Sequence, residues 1–86
     1  MTTPVTFRAY GDVGGDIMRA LDTEPGWEYR GSHGVFCAGN GDELYGYAYG
    51  GPNGEHVTLD FTRNERKGSK VCVVGGLPDA IRERVA

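Results

Sequence analysis

Three tyrosines alternate with small residues in the segment LYGYAYG, residues 44–50, and the apolar residues of HVTLDF, residues 56–61, alternate in the same way. A period of two is typical of a β-strand with one apolar face. The intervening segment GGPNGE has a proline suited to the second position of a turn, and Gly54 can adopt a left-handed conformation. The sequence therefore predicts a β-hairpin closed by a three-residue loop.

The loop length sets the register of this hairpin. Pairing Gly51 with Glu55 places the tyrosines on the same face as the apolar residues of the second strand. A loop one residue shorter or longer would place the tyrosines opposite polar residues. We therefore interpret the tyrosines as the core-facing side of an antiparallel sheet, with their hydroxyls at its rim, and an exposed aromatic binding surface is the alternative. The predicted pairs are Tyr49–Val57, Tyr47–Leu59 and Tyr45–Phe61.

Other segments predict the rest of the fold. Asn40-Gly41 indicates a two-residue hairpin turn, which would place Phe36 beside Tyr45. Alternating or apolar runs predict further strands, and apolar residues at helical spacing predict helices near 15–23 and in LPDAIRERVA. The predicted fold class is α+β, with a mostly antiparallel sheet of five or six strands, one helix after the first strand and one short C-terminal helix. The additional strands are expected at 4–10, 27–30, 35–38 and 71–76.

Length and composition indicate a single domain. The chain has 86 residues, which we assign to one domain, 1–86, with residues 1–3 expected to be disordered. No stretch approaches the roughly 18 apolar residues of a membrane span, and the first residues do not resemble a signal peptide. Two cysteines are too few for a secreted disulfide scaffold. We expect a cytoplasmic protein that does not contact membranes.

Catalytic and metal-binding motifs are missing from the sequence. Cys37, Cys72, His33 and His56 form no CxxC or HxxxH pair, so we expect buried free thiols, surface histidines and no metal. Cys37 and His56 share a predicted sheet face but lie about 20 Å apart at ~3.3 Å per residue, too far for a nucleophile and its base. The segment GDVGGD lacks the lysine and hydroxyl of a phosphate-binding loop. We therefore expect neither enzymatic activity nor a cofactor.

The charges divide along the chain. Residues 1–62 carry a net charge of −6, and residues 63–86 carry +3. We expect a small protein-binding module that acts stoichiometrically, like phage anti-defence (anti-CRISPR-like) inhibitors and toxin-immunity proteins, which it matches in size and charge alone. The expected partner is a protein with a basic surface. The predicted contact residues are the acids around the central hairpin: Asp42, Glu43, Glu55 and Asp60.

Two other functions are compatible with the sequence. The segment RNERKGSK places Arg63, Arg66, Lys67 and Lys70 at a probable hairpin tip, where they could contact nucleic-acid phosphates. This segment has no aromatic residue to stack on bases, and the acidic remainder of the chain repels a polyanion, so nucleic acid is the weaker alternative. The third is a small ligand-binding or enzymatic domain that uses the tyrosine face.

Overall fold

The computed structural model describes residues 2–37, 39 and 41–85 and, at residues 35–37, the backbone alone. Its five strands form one antiparallel sheet in the order β1-β5-β4-β3-β2, with a helix after β1 and a short helix at the C-terminus, which confirms the predicted α+β class. Neither described helix is long and apolar enough to cross a membrane. The elements are β1 (Thr2–Tyr10), α1 (Val13–Thr23), β2 (Glu28–Cys37), β3 (Glu43–Gly50), β4 (His56–Asn64), β5 (Gly68–Pro78) and α2 (Asp79–Val85).

The central hairpin, β3–β4, has the predicted register. The Gly51 N–H donates to the Glu55 carbonyl at 2.9 Å, and Gly54 adopts a φ of 82°. Turn chemistry and apolar alternation favour the same pairing, which explains why this part of the fold is readable from the sequence. The three tyrosine pairs are confirmed: Tyr49–Val57, Tyr47–Leu59 and Tyr45–Phe61.

The strand before this hairpin corrects two predictions. Segments 27–30 and 35–38 are predicted as separate strands, but β2 runs without a break from Glu28 to Cys37. Gly31, with a φ of 127°, lies at the first of two register shifts in β2 and allows the strand to continue through GSHG. Phe36 pairs with Leu44, so the predicted position beside Tyr45 is wrong. The predicted Asn40-Gly41 turn includes Asn40, which lies outside the described residues.

The N-terminal strand joins the far end of the chain. Thr2 and Thr3, which we expected to be disordered together with Met1, pair with Pro78 and Leu77. Met1 lies outside the described residues. Because β1 pairs with β5, the first and last strands are neighbours, and α1 carries the chain from one edge of the sheet to the other.

Both helices pack on one face of the sheet, which we call the helix-covered face. Ile17 and Leu21 of α1 and Ile81 of α2 are fully buried there against β1, β5 and β4. The opposite side of the sheet, which we call the open face, carries the alternate residues of each strand and is covered by neither helix. The buried strand residues of the core are Val5, Tyr49, Val57, Leu59, Val71, Val73 and Leu77.

Candidate protein-binding surface

The tyrosines of β3 range from buried to partly exposed. Tyr49 is only 2% exposed, and its hydroxyl donates to Asp22 Oδ1 at 2.9 Å. Burial, followed by the hydrogen bond and charge of Asp22, raises the pKa of Tyr49 above its ordinary value. Tyr45 and Tyr47 are only half-buried. The expected core position therefore applies fully to Tyr49 and only in part to the other two.

A tyrosine patch, defined here as Tyr29, Tyr45 and Tyr47, lies beside the core on the helix-covered face. Tyr29 of β2 is 52% exposed, and its ring centroid is 6.3 Å from that of Tyr47. Tyr45 contacts Tyr47 edge-on at 5.9 Å and stacks on Phe61 at 5.2 Å with nearly parallel planes. These contacts hold the patch as a preformed aromatic surface, because each ring is supported by at least one other.

The position of α1 explains why the patch is uncovered. The helix packs tightly on the sheet at Gly14, where a Cβ atom would be 2.7 Å from Cζ of Phe61 and 3.1 Å from Cβ of Val71. Near its other end, Asp22 receives the hydrogen bond from Tyr49. The helix thus covers Phe61 and Tyr49, and the patch lies to one side of it.

Acidic groups surround the patch. A shallow surface cleft of about 410 Å³ lies beside the start of α1, and Asp12, Tyr45 and Phe61 contribute to its wall. Glu43 precedes Tyr45 by two residues on β3, so strand alternation places it on the same face. We call Asp12, Asp22 and Glu43 the acidic rim of the patch. Arg19 also lines the cleft, but it forms an ion pair with Asp16.

Two of the four acids predicted to bind a partner lie near the start of β3. Glu43 belongs to the acidic rim. Asp42, which directly precedes β3, contributes to a different surface. Its Oδ1 accepts a hydrogen bond from Nδ2 of Asn64 at 2.8 Å, and it lines a cleft with Lys67. Adjacent positions in the chain thus contribute to different surfaces.

The other two predicted acids are remote from the rim. Glu55 lies in the β3–β4 turn and accepts a hydrogen bond from the Asn53 N–H at 2.7 Å. This turn is about 26 Å from Glu43 along β3 at ~3.3 Å per residue. Asp60 lies on the open face, 2.9 Å from Nε2 of His33. The structure therefore does not bring Asp42, Glu43, Glu55 and Asp60 together on a single face.

The four predicted basic residues surround the β4–β5 turn. Arg63 lies across from Glu43 on β3, whereas Arg66 and Lys67 form the turn and donate their backbone N–H groups to Oδ1 of Asn64. Lys70 lies on the open face directly opposite Tyr10 of β1. Sequence patterns do not predict Tyr10 as a neighbour, because it lies 60 positions before Lys70 in the chain.

A row of polar residues crosses the open face without forming a nucleophile and base. Arg8, Cys72, Asp60, Gly46 and His33 are neighbours in that order, one from each strand. Gly46 leaves room for the His33–Asp60 pair, since a Cβ there would overlap the His33 ring and lie 2.6 Å from Oδ1 of Asp60. Cys72 is three strands from His33, or about 14 Å at ~4.8 Å per strand, too far for a hydrogen bond.

The cysteine and histidine predictions have different outcomes. Cys72 is a free thiol, but it is half-buried on the open face, so the expected burial in the core is wrong for this residue. The side chain of Cys37 lies outside the described residues. His33 and His56 are exposed, as predicted. In the part of the chain that the structure describes, no group of three or more His, Cys, Asp or Glu side chains is placed to hold a metal ion.

Comparisons of the chain with models of protein families, with curated proteins and with solved structures give no match. Two surfaces of the protein are therefore candidates for its function: the tyrosine patch with its acidic rim, and the open face with its basic turn.

Proposed function

We propose that this chain is a small, non-enzymatic module that binds one partner protein stoichiometrically through the tyrosine patch and its acidic rim. The observation that carries the proposal is the exposure of preformed aromatic rings beside the core. Tyr29 is 52% exposed although its ring contacts both Tyr47 and Tyr49.

The aromatic part of the surface supplies the binding energy in this proposal. Tyrosine is enriched at the centres of protein interfaces, where it offers a large contact area and loses little conformational freedom. Tyr45 and Tyr47 are already held by Phe61, so binding orders few side chains. The hydroxyls remain available to hydrogen-bond to the partner.

The acidic rim determines which partners are favoured. Asp12, Asp22 and Glu43 surround the patch and favour a partner that presents arginine or lysine. An arginine side chain suits both parts of this surface, because it stacks on tyrosine rings and pairs with carboxylates. The partner is therefore expected to carry a basic surface. Of the acids that the sequence singled out, Glu43 contributes to this site.

The proposed mode of action is occlusion of the partner's basic site. Phage anti-defence inhibitors and toxin-immunity proteins act in this way. The size of this chain, its acidity and the geometry of the patch support a function of the same class. The proposed setting is the cytoplasm, where such partners operate.

Affinity capture with matched tyrosine variants tests the proposal. The tagged wild-type protein and a Tyr29→Ala/Tyr45→Ala variant would be incubated with extract of the native cells, and retained proteins would be identified by mass spectrometry. We expect one protein to be retained in about a 1:1 ratio by the wild type and lost by the variant.

Tyr10→Ala is the matched control, because Tyr10 is also exposed but lies on the open face. It should retain the same protein as the wild type. Circular dichroism should show that all variants are folded. Retention that is lost with Tyr10→Ala and kept by the patch variant would contradict the proposal, as would the absence of any stoichiometric partner.

A further inference from the structure

The open face has a basic corner that is distinct from the tyrosine patch. Tyr10, at the end of β1, is 72% exposed and pairs with Lys70, at the start of β5. Tyr10, Lys67 and Lys70 line one cleft of about 160 Å³ together with the small residues Gly68 and Ser69. Asp42, which accepts a hydrogen bond from Asn64, also lines this cleft. Arg8 lies two residues before Tyr10 and on the same face of β1. Three cations thus surround one exposed aromatic ring.

These cations are available to a ligand. The ion pairs within the described residues are Arg19–Asp16, Arg30–Glu28 and His33–Asp60, and they involve none of Arg8, Lys67 and Lys70. The acids closest to the corner already have polar partners. Asp42 accepts a hydrogen bond from Asn64 at 2.8 Å, and Asp60 lies 2.9 Å from His33.

The distribution of charge separates this corner from the acidic side of the molecule. Asp12, Asp16 and Asp22 belong to α1 or its start, on the helix-covered face. Exposed charges more than about 10 Å apart are largely screened at roughly 0.1 M salt. The net charge of −3 therefore does not prevent a local anion site on the opposite face.

We infer that this corner, made of Arg8, Tyr10, Lys67 and Lys70, binds single-stranded nucleic acid. Lysine and arginine side chains contact the phosphates, and an unpaired base stacks on the Tyr10 ring, which is the combination that single-strand binders use. Gly68 and Ser69 leave space beside the ring for a flat base. A duplex has no unpaired base to offer, so single strands are preferred.

The basic segment, residues 63–70, contains no aromatic residue of its own that could stack on a base. The β1–β5 pairing supplies that aromatic residue from the other end of the chain. Affinity is expected to be modest and strongly dependent on salt. Three phosphate contacts on a single strand correspond to a slope of about −2 in log K against log salt concentration.

Fluorescence anisotropy with a labelled oligothymidylate of about twelve nucleotides tests the inference at about 50 mM salt. We expect wild-type binding that Tyr10→Ala weakens roughly 5- to 150-fold, which corresponds to the loss of one stacked base. Lys67→Ala and Lys70→Ala should each weaken binding and reduce the salt slope by about 0.7. A duplex of the same length should bind more weakly than the single strand.

Two control variants match these changes on the other side of the molecule. Tyr29→Ala removes an exposed tyrosine from the patch, and Arg84→Ala removes an exposed cation from α2. Both should bind the oligonucleotide like the wild type. Absence of wild-type binding, or binding that Tyr10→Ala leaves unchanged, would overturn the inference. Since Tyr29→Ala is the variant expected to lose the partner protein, this inference and the proposed function fail in distinguishable ways.

Discussion

Two adjacent glycines in the first turn of α1 should respond oppositely to the same substitution. Gly14 is buried where α1 meets the sheet, and an added Cβ would lie 2.7 Å from Cζ of Phe61 and 3.1 Å from Cβ of Val71. Overpacking of this kind costs about 1–3 kcal/mol. At Gly15 a Cβ would meet only the Arg19 side chain, at 3.5 Å. Alanine in a helix is favoured over glycine by about 0.5–1 kcal/mol at either position.

We therefore expect Gly15→Ala to stabilise the protein by about 0.5–1 kcal/mol. Gly14→Ala should destabilise it by up to about 2.5 kcal/mol, which is the overpacking cost less the helix gain. Urea unfolding followed by circular dichroism measures both, and each kcal/mol also shifts Tm by roughly 4–8 °C in a domain of this size. Equal stability of the two variants would contradict the packing of α1 on Phe61.

A double-mutant cycle separates the clash from other effects. Phe61→Leu removes the ring atoms that the new methyl group would meet, so adding Gly14→Ala to it should cost less than in the wild type. We expect a coupling energy of about 0.5–2 kcal/mol between the two positions. A coupling energy near zero would mean that the cost of Gly14→Ala arises elsewhere.

The remaining predictions concern the tyrosines and the acidic rim. Tyr49→Ala should lower the free energy of unfolding by about 3–5 kcal/mol. Tyr47→Ala should lower it by roughly half as much, because Tyr47 is only half-buried. Equal losses would mean that the patch is closed to solvent. Since the pKa of Tyr49 is raised above 10.0, folding favours its neutral form, and its stabilising effect is complete below about pH 10 and declines above it. The wild type should lose about 1.4 kcal/mol per pH unit relative to Tyr49→Phe above about pH 10 in urea unfolding, and a constant difference would contradict the burial. Neutralising Asp12 and Glu43 should slow association with a basic partner in stopped-flow measurements, whereas neutralising Arg66 and Lys67 should not. The reverse pattern would mean that the partner binds at the basic turn.

The central hairpin was predictable because its signals are local. Proline and Gly54 set the turn, and the alternation of tyrosines with small residues fits only one register. The prediction of two separate strands in the region of β2 was wrong for a physical reason. A glycine at a bulge and a glycine at a turn look alike in the sequence, and Gly31 serves as the former.

The candidate sites depend on long-range pairing, which single-sequence patterns do not reveal. The exposure of Tyr45 and Tyr47 depends on where α1 lies, and the close approach at Gly14 determines that position. Tyr10 reaches Lys70 only because the first and last strands pair. The acids near the central hairpin were expected to act together, but strand alternation and turn position direct Glu43 and Asp60 to opposite faces of the sheet.

Photo-crosslinking tests the central claim most directly, because it reports contact and needs no change in charge. The photoreactive amino acid p-benzoylphenylalanine would replace Tyr29 in one protein and Tyr10 in another, and each would be irradiated in extract of the native cells. The account predicts that position 29 yields a covalent adduct with a single protein and that position 10 does not. An adduct with that protein from position 10 alone would contradict binding through the tyrosine patch.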